Sequence, residues 1–138
     1  MSKNLVDICV NLTDEVFSGN EDSIIDEANQ KNITKMVLVG NDLRSSKKCQ
    51  RLAQKYNFFS TAGYHPHNAK EWDENSYTEL QKLIKFENVR AVGECGLDFN
   101  RNFSSPEIQH KVFAKHIDLA KETGLPLFVH ERDAFHQM

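Results

Sequence analysis

His65, Glu94 and His130 each close a short apolar stretch, TAGYH, RAVGE and LFVH. Such stretches have the length and apolar content of buried strands, so the three polar side chains fall at three successive strand exits. Two imidazoles and a carboxylate suit a divalent Zn, Mn or Mg ion, with carboxylate and water favouring the harder ions. Asp7 and Asn11 flank the first apolar stretch and are weaker candidates. Plainer placements exist for each residue. Glu94 could be a strand-end carboxylate paired with Arg132, and His65 could cap the turn that Pro66 begins. His67 reads as a solvated loop residue. His110 and His116 share one helix and read as surface residues on different faces. Cys95 reads as a small packing residue rather than a reactive thiol. The basic run Arg44, Lys47, Lys48, Arg51 and Lys55 reads as a solvated helix face, with phosphate contact as the alternative. His136 is too close to the end of the sequence to argue from.

The elements that would position these residues alternate along the chain. Leu5–Asn11, Lys35–Gly40, Phe58–Gly63, Val89–Gly93 and Leu127–His130 read as strands. Lys35–Gly40 is continuously apolar after its lysine, the pattern of a strand covered on both faces. Helices fall between the strands, marked by Ile24, Ile25 and Ala28, by Cys49, Leu52, Ala53 and Tyr56, and by Tyr77, Leu80, Leu83 and Ile84. The fourth helix has the clearest ends, with Ser105 as N-cap, Pro106 in the first position, Gly124 as C-cap and Pro126 beyond it. Ile108, Val112, Phe113, Ile117 and Ala120 are its expected buried stripe. Strands alternating with helices imply a parallel sheet with right-handed crossovers. The order fits a doubly wound open sheet or part of a (β/α)8 barrel, and periodicity leaves both open. In either, strand C-termini share one rim, where parallel α/β proteins place their active sites.

Composition narrows the class. The 138 residues include 39% hydrophobic and 27% charged side chains, 6 glycines and 3 prolines, enough for one domain with a core. A formal net charge of −3 gives no global attraction to nucleic acid or anionic lipid, so a DNA contact has to be local. No apolar run reaches membrane-spanning length, and Met1–Asn4 leads into the first strand without a signal-peptide core. Cys9, Cys49 and Cys95 are odd in number and far apart, which fits a reducing, cytoplasmic setting without disulfides.

Four segments together resemble one family. AVGECGLDF (91–99) resembles the fourth-strand signature of the TatD-related DNases, and TAGYHPH (61–67) their third-strand His-Pro motif. PLFVHERDA (126–134) is similar to their fifth-strand His motif, and VDICVNL (6–12) to the first strand of the TatD branch. Many relatives carry Asp-x-His-x-His in that first strand; here Cys9 and Asn11 occupy the two His places. The resemblance implies a (β/α)8 TIM-type barrel and metal-dependent hydrolysis of DNA phosphodiesters, commonly from the 3′ end. It implies metal ligation by Glu94 and His130, a catalytic part for Glu94 and His65, and contact of His65 with the scissile phosphate. Arg132 or Asp133 would orient the ligands.

Family members continue through a sixth strand with another His and an eighth with an Asp. Residues 1–138 are accordingly read as a single partial TatD-type hydrolase domain, the N-terminal five β/α units of the barrel, truncated before strand six. Two protein ligands rarely hold an ion tightly, so weak metal binding and weak or no activity are expected of the chain alone. The alternatives are a non-catalytic remnant, a protein acting by association, or a metal-dependent hydrolase of another ester or amide. Unpaired first and fifth strands are expected to expose apolar surface, leaving the chain marginally stable or self-associating.

Overall fold

The computed structural model describes residues 3–138; Met1 and Ser2, part of the lead-in Met1–Asn4, lie outside the described residues. Five strands, β1 (Leu5–Val10), β2 (Ile33–Leu38), β3 (Phe59–Ala62), β4 (Val89–Asp98) and β5 (Leu127–Arg132), form one sheet. All four pairings are parallel, and the spatial order is β1-β2-β3-β4-β5. That order decides the architecture. A doubly wound sheet reverses direction from its first strands and so places consecutive strands out of sequence. A sheet that advances one strand at a time, with crossovers of one hand, keeps all its helices on one face and curves as a barrel wall.

The helices are α1 (Glu21–Gln30), α2 (Leu43–Tyr56), α3 (Ser76–Ile84) and α4 (Pro106–Thr123). Local chemistry sets their ends. Asp42 accepts from the Ser45 N–H at 2.6 Å while Ser45 Oγ accepts from the Asp42 N–H at 3.0 Å, a reciprocal cap that satisfies two free donors. Ser105 Oγ accepts from the Ile108 N–H, and Gly124 closes α4 in the left-handed conformation, as its position predicted. Two apolar clusters fill the layer between helices and sheet. One joins Ala62, Val89 and Val92 to Leu80, Leu83, Ile84, Val112 and Leu119. The other joins Met36 and Leu38 to Ile25, Cys49, Ala53 and Phe58.

Three expectations need correction. The buried positions of α4 are Gln109, Val112, His116 and Leu119, whereas Ile108 is exposed and Phe113, Ile117 and Ala120 are half-buried. The helix is rotated from the apolar stripe because two polar side chains face inward to hydrogen-bond backbone. His116 is therefore buried, not a surface residue. On β2, Met36 and Leu38 are buried but Lys35 and Val37 only half-buried, since helices cover one face of the sheet alone. Finally, β4 extends past Gly93 to Asp98, which carries Glu94 and Asp98 on the strand itself. This close β4–β5 approach requires glycine. A Cβ on Gly96, at φ 133°, would collide with the His130 carbonyl oxygen.

Candidate metal centre

The rim at the strand C-termini brings His65, Glu94 and His130 together. One donor atom from each lies within 4.8 Å of the others. His65 Nε2 is 3.2 Å from His130 Nδ1, and His130 Nδ1 is 3.3 Å from Glu94 Oε1. Donors sharing one tetrahedral ion at about 2.0–2.1 Å stand roughly 3.3–3.4 Å apart. His130 Nδ1 thus stands from each of the other two donors at about the spacing of ligands around a single ion.

The backbone beneath is fixed by the strand exits. The Glu94 N–H donates to the Gly40 carbonyl at 2.8 Å and the His65 N–H to the Asn41 carbonyl at 2.9 Å, so the end of β2 supports both. His65 Nδ1 accepts from the His67 N–H at 3.1 Å. Burial, with His130 and His67 adding to it, pushes the His65 pKa down to about 4, so its ring is neutral near pH 7. A neutral imidazole whose Nδ1 accepts carries its proton on Nε2. His65 therefore donates from Nε2 to His130 Nδ1. His130 Nε2 lies 2.9 Å from Asp98 Oδ2, and His67 Nε2 reaches the same oxygen at 2.9 Å. Asp98 is fully buried. Burial alone would raise its pKa, but hydrogen bonds from His130, the Asn100 N–H and His67 outweigh it and hold the carboxyl below its usual range.

These hydrogen bonds test the fit to a cation. With Nε2–H turned to Asp98, His130 Nδ1 carries the single lone pair that accepts from His65, and Glu94 Oε1 lies 3.3 Å from the same nitrogen. An ion entering there would take that lone pair and the Glu94 carboxylate and release the His65 hydrogen, and the Asp98–His130 pair is the carboxylate–imidazole support that metal-ligating histidines use. His65 differs, because its Nε2 holds a hydrogen. The donor set fits a divalent ion on Glu94 and His130, with His65 beside it as a hydrogen-bond donor.

The remaining predicted residues are placed as follows. Asp7 lies on exposed β1, its Oδ1 accepting from the Cys9 N–H at 3.2 Å, and Asn11 Oδ1 accepts from Asn41 Nδ2 at 3.2 Å; neither joins the cluster. Glu94 pairs with His130 rather than Arg132. Asp133 accepts from Asn100 Nδ2 at 3.0 Å, and the carboxylate that touches His130 is Asp98. His67, read as solvated, is half-buried against that carboxylate. Asp98 was not singled out in the sequence, although even spacing along one strand put it on the same face as Glu94. Gln109 was missed entirely. Its Oε1 accepts from the Asp98 N–H at 2.8 Å, and its Nε2 donates to the Asp98 and Ser104 carbonyls at 2.9 and 2.8 Å. His116 Nε2 accepts from the Tyr64 N–H at 2.9 Å, one residue before His65, while its Nδ1 bonds the Val112 carbonyl. Cys95 is buried, as expected of a packing residue.

Residues 6–138 match the family model described as TatD related DNase. The chain belongs to the TatD-related DNase family. A TatD relative from Edwardsiella piscicida, named a 3′-5′ ssDNA/RNA exonuclease, is 44% identical over 132 residues, 94% of this chain and 51% of the relative. Two solved TatD-family structures superpose closely. A TatD family hydrolase from Entamoeba histolytica gives a TM-score of 0.88 at 28% identity, over 99% of this chain and 52% of that one. The TatD homologue YJJV from Escherichia coli gives 0.87 at 26% identity, over 96% and 52%. The chain thus spans about half the length of the curated TatD relatives it matches. Among the described residues, no helix is long and apolar enough to cross a membrane.

Proposed function

We propose that this chain carries part of the active site of a metal-dependent phosphodiesterase acting on DNA, releasing nucleotides from the 3′ end. The observation that supports it most directly is the Glu94–His130 pair, a carboxylate oxygen and an imidazole nitrogen 3.3 Å apart, backed by the buried Asp98 carboxylate. The named activity of the Edwardsiella piscicida relative supports single-stranded DNA, with RNA beside it, as substrate.

The residues divide the work by their protons. Glu94 and His130 would hold an Mg, Mn or Zn ion, His130 through Nδ1. When bound, a divalent ion supplies a water of lowered pKa and positive charge against the phosphoryl oxygens. Asp98 keeps the His130 proton on Nε2 and so leaves Nδ1 free as a donor atom. His65 presents its Nε2–H to the same space. Once His130 Nδ1 is engaged elsewhere, that hydrogen is available to a non-bridging phosphate oxygen, where negative charge grows during attack. The depressed pKa keeps His65 neutral, so it donates a hydrogen bond without adding a second positive charge beside the ion. Lys47 and Lys55 of α2 form ion pairs with Glu79 at 2.7 Å and Asp22 at 3.4 Å, which supports a structural use of that basic face.

The test is hydrolysis of a 5′-labelled single-stranded oligonucleotide with Mg or Mn and with EDTA. Shortening from the 3′ end that needs the metal and disappears in Glu94→Ala is expected. Cleavage that persists in EDTA or in Glu94→Ala would overturn the reading. An inactive chain that also fails to bind Mn by calorimetry would favour the remnant alternative. We further infer that the two outer strands drive self-association, because Leu5, Val6 and Ile8 of β1 and Val129 of β5 are exposed. A monomer in sedimentation at high protein concentration would contradict that.

A further inference from the structure

Phe103 stands beside the site with half of its surface exposed (50%). An isolated exposed apolar residue needs no explanation; what distinguishes this one is its support. Ser104, next to it, is buried, donating from Oγ to the His67 carbonyl and accepting from the Lys70 N–H, both at 3.0 Å. Its carbonyl accepts from Gln109 Nε2 at 2.8 Å. On the other side, Asn102 takes a positive φ of 49° and its Nδ2 donates to the Phe99 carbonyl at 3.3 Å. The loop is pinned on both sides of an aromatic ring left half in solvent.

The ring also continues a series that starts at the metal centre. His130 and His65 have centroids 4.4 Å apart, His65 and His67 4.4 Å, and His67 and Phe103 4.8 Å with an interplanar angle of 82°. The two rings thus stand nearly perpendicular, and half of the Phe103 surface stays open to solvent. The Arg101 guanidinium lies 5.9 Å from its centroid. The series leads outward from His65, the residue assigned above to a phosphate oxygen, and ends at Phe103.

We propose that Phe103 is a stacking platform for a base of the single-stranded substrate next to the reacting phosphate, with Arg101 beside it to meet backbone charge. The assignment rests on the phosphodiesterase reading above and adds a subsite to it. Stacking tolerates any sequence, because every base has a π face, which suits an exonuclease that must accept each nucleotide in turn.

The probe is an oligodeoxynucleotide carrying 2-aminopurine at its 3′ end, whose fluorescence falls on stacking, added to the chain first in EDTA and then with Mn. The wild-type chain is expected to quench it. Phe103→Ala should abolish the quench and weaken binding about 5- to 150-fold, while Phe103→Trp should keep both. Phe86 is similarly exposed (47%) but lies in the turn before β4, away from the strand C-termini. Phe86→Ala should therefore match wild type. The proposal is overturned by full quenching in Phe103→Ala, by an equal loss in Phe86→Ala, or by a wild-type chain that leaves the probe unquenched. Calorimetry with Mn separates the two ideas. Loss of quenching in Phe103→Ala at wild-type Mn affinity supports the stacking subsite. Quenching without any metal-dependent hydrolysis leaves the platform standing and removes the phosphodiesterase reading.

Discussion

The two sides of the sheet treat polar and apolar groups in opposite ways. From β3 to β5, a buried carboxylate, three imidazoles and a buried glutamine are joined by hydrogen bonds of 2.8–3.2 Å. On β1, every residue from Leu5 to Cys9 is exposed, and Ile8 shows 61% of its surface. Both regions are parallel strands of one sheet and share its register rules. The difference lies in α4, which sends two polar side chains into the layer beneath the site and so fixes backbone that would otherwise be free. Precision at the rim comes from buried hydrogen bonding behind it, and β1 has no equivalent support among the described residues.

The contrast can be tested in order of effect. His65→Ala should show the largest, lowering any turnover on single-stranded DNA about 10²- to 10³-fold while Mn affinity by calorimetry moves little. Equal loss of both would make His65 a ligand and undo the proton assignment. Acid should come next. The folded His116 has its pKa pushed down to about 4 by burial, below the value of about 6.5 expected when unfolded. The unfolded chain therefore takes up that proton first. The stability involved is fully present above pH 6.5 and is lost as pH falls from 6.5 to 4, by about 3 kcal/mol. His65, also pushed down to about 4, acts in the same direction. Urea denaturation across that range reads the slope, and His116→Gln should lower it to the share of His65. A flat profile in the wild type would mean that His116 is not buried as a neutral ring.

Gln109→Ala strips partners from the Asp98 N–H, the Asp98 carbonyl and the Ser104 carbonyl, and should cost about 2–3 kcal/mol with a parallel loss of Mn affinity through Asp98. A stability loss that leaves Mn affinity intact would separate α4 from the site. The smallest change is expected on the other side. Ile8→Thr should alter stability by no more than about 0.5 kcal/mol, measured by the same denaturation at a concentration low enough to keep the chain monomeric. A larger cost there would show that β1 is covered within the single chain.

How much of this was legible in the sequence varies by element. His65, Glu94 and His130 stood out because each closes an apolar run, but two strand ends were set too early, since β4 runs through Glu94 to Asp98 and β5 through His130 to Arg132. The order of strands in space was not legible, since doubly wound and barrel sheets share one alternating pattern. The inward face of α4 was misread for a physical reason. Counting apolar residues selects Ile108, Phe113 and Ile117, whereas the helix turns Gln109 and His116 inward, where buried hydrogen bonds to Asp98 and Tyr64 offset their polarity. His67 and Asp98 were passed over because their value lies in each other, across 31 residues of sequence. Even spacing from Glu94 to Asp98 was the one available sign.

Each strand of this sheet pairs with its immediate predecessor in the chain. A sheet built this way can grow in the order of synthesis, each β–α–β unit docking on a finished edge without waiting for distant sequence. His65 and Glu94 are set in place with β3 and β4. His130 arrives only with β5, and Asp98 has no imidazole from that strand to hold until it does. If Glu94 and His130 share an ion as proposed, metal affinity would report the docking of the fifth strand on the fourth, and would be absent before it.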